Sequence, residues 1–212
     1  MAKKKNPIRV LIVDDHPAFR MGLVALVNSQ SDMEVVTEAG DGHEALKIFR
    51  REKPDVTLMD LRLPGFSGVE TILAIRQEFP DARVIVVTTF DWDEDIYRAM
   101  QSGAKSYLLK DMNQAEISDT IRAVHRGEQK LPPNIARRLA QRSQRADLTA
   151  RELEVLTLLT RGQSNKEISS ALNIAEDTVK SHMKTLFSKL SVRDRTEAAI
   201  TAVRHGIVHL EG

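Results

Sequence analysis

The 212-residue chain contains no cysteine. This excludes a disulfide framework and any metal held by thiolates, and it suits the reducing cytoplasm, which is the expected location. No apolar run approaches the ~18 to 20 residues that a membrane-spanning helix requires. The lysine-rich start MAKKKNP is not followed by a signal-peptide core, so an unprocessed protein with no membrane association is expected. Charge of one sign is also lacking: the formal net charge is +1, so bulk charge singles out no nucleic-acid partner. The six histidines show no structural-zinc pattern, because Gly206 interrupts the one close pair, His205 and His209.

The balanced total conceals an uneven distribution. Residues 1–125 carry 16 Lys/Arg against 20 Asp/Glu, residues 126–146 carry 6 against 1, and residues 147–212 carry 9 of each. Periodicity divides the chain in the same places. In the first part, the short β-branched runs IRVLIV, MEVVTEA, DVTLM, RVIVV and KSYLL alternate with amphipathic helical stretches. Runs apolar on both faces, such as RVIVV, are what parallel strands covered by helices on each side require. A doubly wound α/β domain with a five-stranded parallel sheet is therefore expected over residues 7–127. The segment 128–147, with Pro132 and Pro133 and few large apolar residues, reads as a linker that is helical at most in part. Residues 148–212 show no strand pattern but repeated helix-start signals, at Thr149/Glu152, Ser164/Glu167 and Asp194/Glu197. A smaller all-α domain is expected there.

Ligands of open α/β sheets bind beyond the carboxyl ends of the strands, near the switch in strand order. Here those ends carry Asp14 and Asp15 (strand 1), Asp60 (strand 3), Thr88 (strand 4) and Lys110 (strand 5). At an effective dielectric near 20, two carboxylates ~4 Å apart repel by about 4 kcal/mol. A purely structural cluster of three would be costly. A divalent cation relieves the repulsion, and Mg²⁺ favours a few carboxylates together with a phosphate oxygen. Asp60 can then serve as a nucleophile toward phosphorus without a general base, with Lys110 and the Thr88 hydroxyl binding phosphoryl oxygens. Taken singly, each residue has an ordinary structural explanation; their joint placement at successive strand ends does not.

In the last part, SNKEISSALNIAEDTVKSHMKTLFSKL has the spacing of a helix-turn-helix. At 100° per residue Val179, Met183, Leu186, Phe187 and Leu190 form an apolar stripe, while Asp177, Lys180, Ser181, Lys184 and Ser188 lie opposite. One face can pack while the other enters a major groove. Ala175, at the start of the second helix, offers no capping hydroxyl.

The motifs DDHP, LMDLRLPGFSG, VVTT and SYLLKD resemble the receiver domain of two-component response regulators. LTARELEVLTLLTRGQSNKEI, TVKSH, KL and VRDRTEA resemble the LuxR-type output domain. Together they point to the NarL/FixJ subfamily. The resemblance implies a flavodoxin-like receiver in which Asp60 is the phosphoacceptor. Mg²⁺ would be held by Asp14, Asp15, Asp60 and the backbone carbonyl of Arg62, and Thr88 and Tyr107 would form the switch pair. It places Asn165, Lys166, Asp177, Thr178, Lys180, Ser181 and Lys184 at the DNA. The implied partners are a sensor histidine kinase, double-stranded promoter DNA, RNA polymerase and, once phosphorylated, a second copy of the chain. No enzymatic turnover is expected. A Mg²⁺-dependent phosphatase is the competing class, but Arg62 occupies the place two residues after Asp60 where its general acid would stand. A constitutive DNA-binding protein with a non-signalling receiver is a third reading.

Three positions depart from the family pattern. Asp111 follows Lys110 where proline is common, so a trans or rearranged loop is expected. Thr89 replaces a small residue, predicting narrower access to the phosphoryl group. Leu63 replaces methionine with little change in volume. The acidic stretch FDWDEDIYRAM, with the single tryptophan, reads as a helix start complementing the helix dipole. A partner-recognition surface is the alternative.

Overall fold

The structure, a computed structural model, describes residues 6–209. The chain divides into two compact units, one running to Asp91 and resuming over Ile96–Ala136, the other comprising Trp92–Asp95 and the chain from Arg137 onward.

In the first unit five strands, β1 (Ile8–Val13), β2 (Met33–Ala39), β3 (Val56–Met59), β4 (Val84–Thr88) and β5 (Ser106–Leu109), alternate with five helices. The helices are α1 (Pro17–Asn28), α2 (Gly42–Glu52), α3 (Gly68–Glu78), α4 (Asp93–Gln101) and α5 (Gln114–His125). The strands pair in parallel in the order β2-β1-β3-β4-β5, so the order reverses between β1 and β3. Register sets Val13 beside Met59 and Thr88 beside Leu109, which brings the residues that follow β1, β3 and β5 to one edge of the sheet. The strand periodicity of two sorts the core. Val10 and Ile12 join Leu23, Leu26, Val27, Ile117, Ile121 and Val124 in one cluster, while the intervening Leu11 and Val13, also buried, face the opposite layer. All five residues of β4 are buried, as a strand paired on both sides and covered by helices on both faces must be.

Side chains cap several helix starts of this unit. Ser67 and Glu70 close a capping box on α3, Asp41 caps α2, and Asn113 caps α5. The first turn of α4 holds Asp93, Glu94 and Asp95, negative side chains at the positive end of the dipole.

The expected linker contains a full helix, α6 (Pro133–Arg142). Pro133 is its first residue, where proline costs no hydrogen bond and its fixed φ suits the helix. The segment expected to be helical at most in part thus holds a ten-residue helix that starts at its prolines.

The second unit is built from α7 (Ala150–Thr160), α8 (Asn165–Leu172), α9 (Glu176–Leu190) and α10 (Arg195–Arg204). Val155, Leu156, Leu159, Ile168, Val179, Met183, Leu186, Ala198 and Ala202 form its core. Capping boxes at Thr149/Glu152 and Ser164/Glu167 start α7 and α8. At α10 the pattern varies: Asp194 accepts from Glu197 N, but Glu197 Oε2 accepts from Arg193 N.

Glu152 is 4% exposed and does more than cap. Its Oε2 accepts from Thr149 N and from Lys189 Nζ, each at 2.7 Å, tying α7 to the end of α9. Burial pushes its pKa up, but the Lys189 ammonium and the Thr149 donors outweigh burial and hold the carboxyl below its usual range. A depressed carboxylate contributes stability above its unfolded pKa and loses it as pH falls through the folded value. Glu152→Gln is expected to lower stability by about 2 kcal/mol at neutral pH. The deficit should shrink as pH drops below about 4. Urea unfolding followed by helical circular dichroism at both pH values measures it.

Candidate phosphoacceptor and DNA-binding sites

Each side chain of the acidic site is delivered by the residue after a strand. Asp14 follows β1, and its N–H donates to Ala39 O at 3.1 Å; Asp60 follows β3, and its N–H donates to Val13 O at 2.8 Å. The sheet's own hydrogen bonds thus continue one residue past the regular strands and fix both backbones. Asp14 and Asp60 are 1% and 3% exposed, whereas Asp15 is about one-third exposed. Ligand atoms of Asp14, Asp15, His16 and Asp60 all lie within 4.8 Å of one another.

Lys110, following β5, reaches into this cluster. Its Nζ is 2.7 Å from Asp60 Oδ2 and 2.8 Å from Asp14 Oδ2, and it lies 4.7 Å from the centroid of the Phe19 ring. Burial pulls the ammonium's pKa down, but its interactions with Asp14 and Asp60 outweigh that effect and raise it. Lys110 is therefore a fixed positive charge at neutral pH. Three carboxylates against one ammonium leave the cluster two charges negative, the imbalance that one divalent cation removes. The oxygen-rich donor set fits Mg²⁺.

Thr88 is fully buried at the end of β4, and its Oγ1 makes no hydrogen bond. A buried hydroxyl without a partner costs about 1 to 3 kcal/mol; it is a group in waiting for an acceptor. Tyr107 is also fully buried, and its hydroxyl donates to the carbonyl of Phe90 at 2.7 Å. The Phe90 ring lies under the Arg62 guanidinium, 4.7 Å from centroid to Cζ, while Arg62 N donates to Asp60 Oδ1 at 3.3 Å. One residue therefore touches the acidic site through its backbone and the β4–α4 loop through its side chain. The Arg62 carbonyl was the expected metal ligand; the contact of its side chain with Phe90 was not foreseen, because cation–π pairing between distant loops leaves no local sequence pattern. Of the three departures, the Lys110–Asp111 bond is trans. Thr89 is exposed, Asp111 is exposed and Leu63 is buried.

Gly68, the first residue of α3, was also missed as a site residue. Its N–H donates to Leu61 O at 3.0 Å, and a Cβ there would lie 2.1 Å from Asp60 O and 2.7 Å from Leu61 Cα. The helix start is pressed against the backbone that carries Asp60.

In the second unit, α8 ends at Leu172 with Asn173 in the left-handed conformation (φ 51°), and α9 begins at Glu176. Asp177, Thr178, Lys180, Ser181 and Lys184 on α9 are all exposed, with Val179, Met183 and Leu186 buried on the other side. On α8 Lys166 is exposed and Asn165 half-buried. Lys180 Nζ pairs with Asp177 Oδ1 at 2.9 Å, which raises the lysine's pKa. No side chain caps α9 at Ala175.

Residues 10–122 match the family described as Response regulator receiver domain, and residues 146–202 match the one described as Bacterial regulatory proteins, luxR family. The chain belongs to the LuxR-type response regulators. The transcriptional regulatory protein LiaR of Bacillus subtilis is 43% identical over 210 residues, 95% of this chain and 100% of that one. The response regulator protein VraR of Staphylococcus aureus is 40% identical over 206 residues, covering 95% and 99%. Among solved structures, the response regulator ChrA of a heme-sensing two-component system is 36% identical, with a TM-score of 0.57 and coverage of 96% and 100%. An RcsB–DNA complex is 25% identical, with a TM-score of 0.69 and coverage of 92% and 98%. Among the described residues of this regulator, no helix is long and apolar enough to cross a membrane.

Two glycines should respond oppositely to an added methyl. Gly68→Ala is expected to destabilise by about 1 to 3 kcal/mol through overpacking. Gly22→Ala, inside α1 with nothing within 4 Å of the new Cβ, should stabilise by about 0.5 to 1 kcal/mol. Thermal unfolding of both variants beside the wild type checks the signs.

Proposed function

We propose that this regulator is a phosphorylation-controlled transcription factor of the cytoplasm, with Asp60 as phosphoacceptor and promoter DNA as target. One observation carries the reading: Asp14, Asp15, Asp60 and Lys110 converge at the carboxyl ends of β1, β3 and β5, in a chain that also holds a helix-turn-helix with an exposed polar face.

The Asp60 carboxylate attacks the phosphorus of a phosphohistidine on a sensor kinase; the P–N bond breaks as the O–P bond forms, and the imidazole departs with the electron pair. No base is needed, because the nucleophile is already an anion. Asp14, Asp15, Asp60 and the Arg62 carbonyl would hold Mg²⁺, which would supply charge neutralisation for the carboxylates and the incoming phosphoryl oxygens. Lys110, now bonded to Asp60 Oδ2, moves its hydrogen bond to a phosphoryl oxygen, and Thr88 Oγ1 gains the acceptor it lacks. Thr88 and Tyr107, the switch pair, then move together, Tyr107 releasing the Phe90 carbonyl, so phosphorylation selects between two loop states. The phosphorylated chain pairs with a second copy and engages DNA and RNA polymerase; the family assignment and the DNA-bound relative support this step.

At the DNA, Lys180 and Lys184 reach guanine edges or phosphates, with Thr178 and Ser181 beside them, while Asn165 and Lys166 meet the backbone. The open N–H groups of α9's first turn favour a phosphate.

Incubation with Mg²⁺ and a small acyl phosphate should add one phosphoryl group to the wild type and none to Asp60→Asn, read by intact mass. Equal labelling of both would end this assignment. Without any metal, Asp60→Asn should melt higher than the wild type by about 1 kcal/mol or more, since a buried repulsion is removed. It should also lose most of the stabilisation by Mg²⁺ that the wild type shows in the same melts.

Asp177→Ala tests the DNA face. Freed from its partner, Lys180 becomes available, so affinity for arbitrary duplex should rise severalfold and preference at one base position should change. Selection from a randomised duplex pool measures both, and an unchanged profile rejects the role of Asp177.

A further inference from the structure

Beside the three carboxylates stands an imidazole with no structural task that requires a ring. His16 is the N-cap of α1, yet its side chain makes no capping hydrogen bond; its backbone N–H donates to Asp14 Oδ1 at 2.8 Å and its carbonyl accepts from Arg20 N at 3.0 Å. Pro17 at the first helical position removes one of the N–H groups that a cap would serve. The ring turns instead toward the acids: Nδ1 is 2.6 Å from Asp15 Oδ1 and 3.6 Å from Asp14 Oδ1. It contributes a ligand atom to the same compact group as Asp14, Asp15 and Asp60. Asp14 is 1% exposed, and the only partner of its Oδ2 among the described residues is the Lys110 ammonium, so the group presents a buried carboxylate on one side and, on the other, an imidazole nitrogen whose partner at 2.6 Å is Asp15.

We propose that His16 is a nitrogen ligand that widens the metal range of this site from Mg²⁺ to borderline transition ions such as Mn²⁺ and Co²⁺. The inference rests on the reading that the acidic cluster holds a divalent cation. Mg²⁺ is a hard ion that prefers oxygen and keeps its waters, so it gains little from an imidazole. Ions further along the first transition row gain affinity from each nitrogen donor. A neutral ring also adds a ligand without adding charge to a site already two charges negative. The side chain is 66% exposed, which leaves it free to rotate from Asp15 onto an ion, exchanging one hydrogen bond for a coordinate bond in place of a water.

The alternative is that the ring only orients Asp15 by a hydrogen bond. Asparagine at position 16 separates the two, because its amide can donate to Asp15 but is a poor ligand for borderline ions. The experiment uses the full chain and isothermal titration with MgCl₂, and with CoCl₂ counting only the Co²⁺ that excess Mg²⁺ displaces. In His16→Asn the Co²⁺ affinity should fall at least tenfold while the Mg²⁺ affinity changes less than threefold. Electron spin echo spectroscopy of the Mn²⁺-loaded wild type should show the modulation of an imidazole nitrogen, lost in His16→Asn. Equal changes for Mg²⁺ and Co²⁺, or no change in either, would overturn the ligand role while leaving the acidic site standing. Failure of the wild type to bind Mg²⁺ at all would overturn the site, and the inference with it.

Discussion

The charge imbalance at the sheet edge is the constraint on which the receiver unit depends. Folding brings three aspartates and one lysine together because the strands that precede them are the core: β1, β3 and β5 cannot be buried without delivering Asp14, Asp60 and Lys110 to one place. Lys110 compensates part of the repulsion by touching two carboxylates at once, and the remainder is held in place by the stability of the surrounding sheet. Such an arrangement is poor as a scaffold, and a divalent cation would relieve the repulsion that folding has compressed.

The same edge is wired to a neighbouring loop by short physical steps. Arg62 bonds Asp60 through its amide and stacks on Phe90 through its guanidinium; Phe90 in turn accepts from Tyr107. The phenol is fully buried, so a ring halfway out would lose both its packing and its hydrogen bond. Intermediate positions would be penalised, as the two-state switch proposed above requires.

Much of this was legible in the sequence. Short β-branched apolar runs and the polar residues at their ends pointed to the sheet and to Asp14, Asp15, Asp60, Thr88 and Lys110, because run composition and strand-end placement are local properties. The α9 stripe was legible for the same reason. What escaped is non-local or depends on shape. Nothing near Gly68 announces that its Cα faces the Asp60 carbonyl, nor does anything near Phe19 announce a lysine above its ring. The α6 helix was obscured by composition: its prolines looked like breakers, yet Pro133 occupies the one helical position that tolerates it. Lys189, which would pass for one more basic residue on an exposed helix, is instead bound to Glu152 and the Asp147 carbonyl.

The uncapped start of α9 has a consequence for how recognition divides its labour. A helix whose first turn lacks a side-chain cap is less ordered before contact than after it, by about 1 kcal/mol. That ordering is drawn from binding whichever base sequence lies beneath the helix. In the DNA complex proposed above, the missing hydroxyl at Ala175 would act on every complex by a similar factor, the cost of ordering set against the open N–H groups, and would leave the ratio between target and non-target untouched. In that proposal the helix terminus would bear on affinity alone, so it could drift as the sequence changes without altering discrimination along the exposed face.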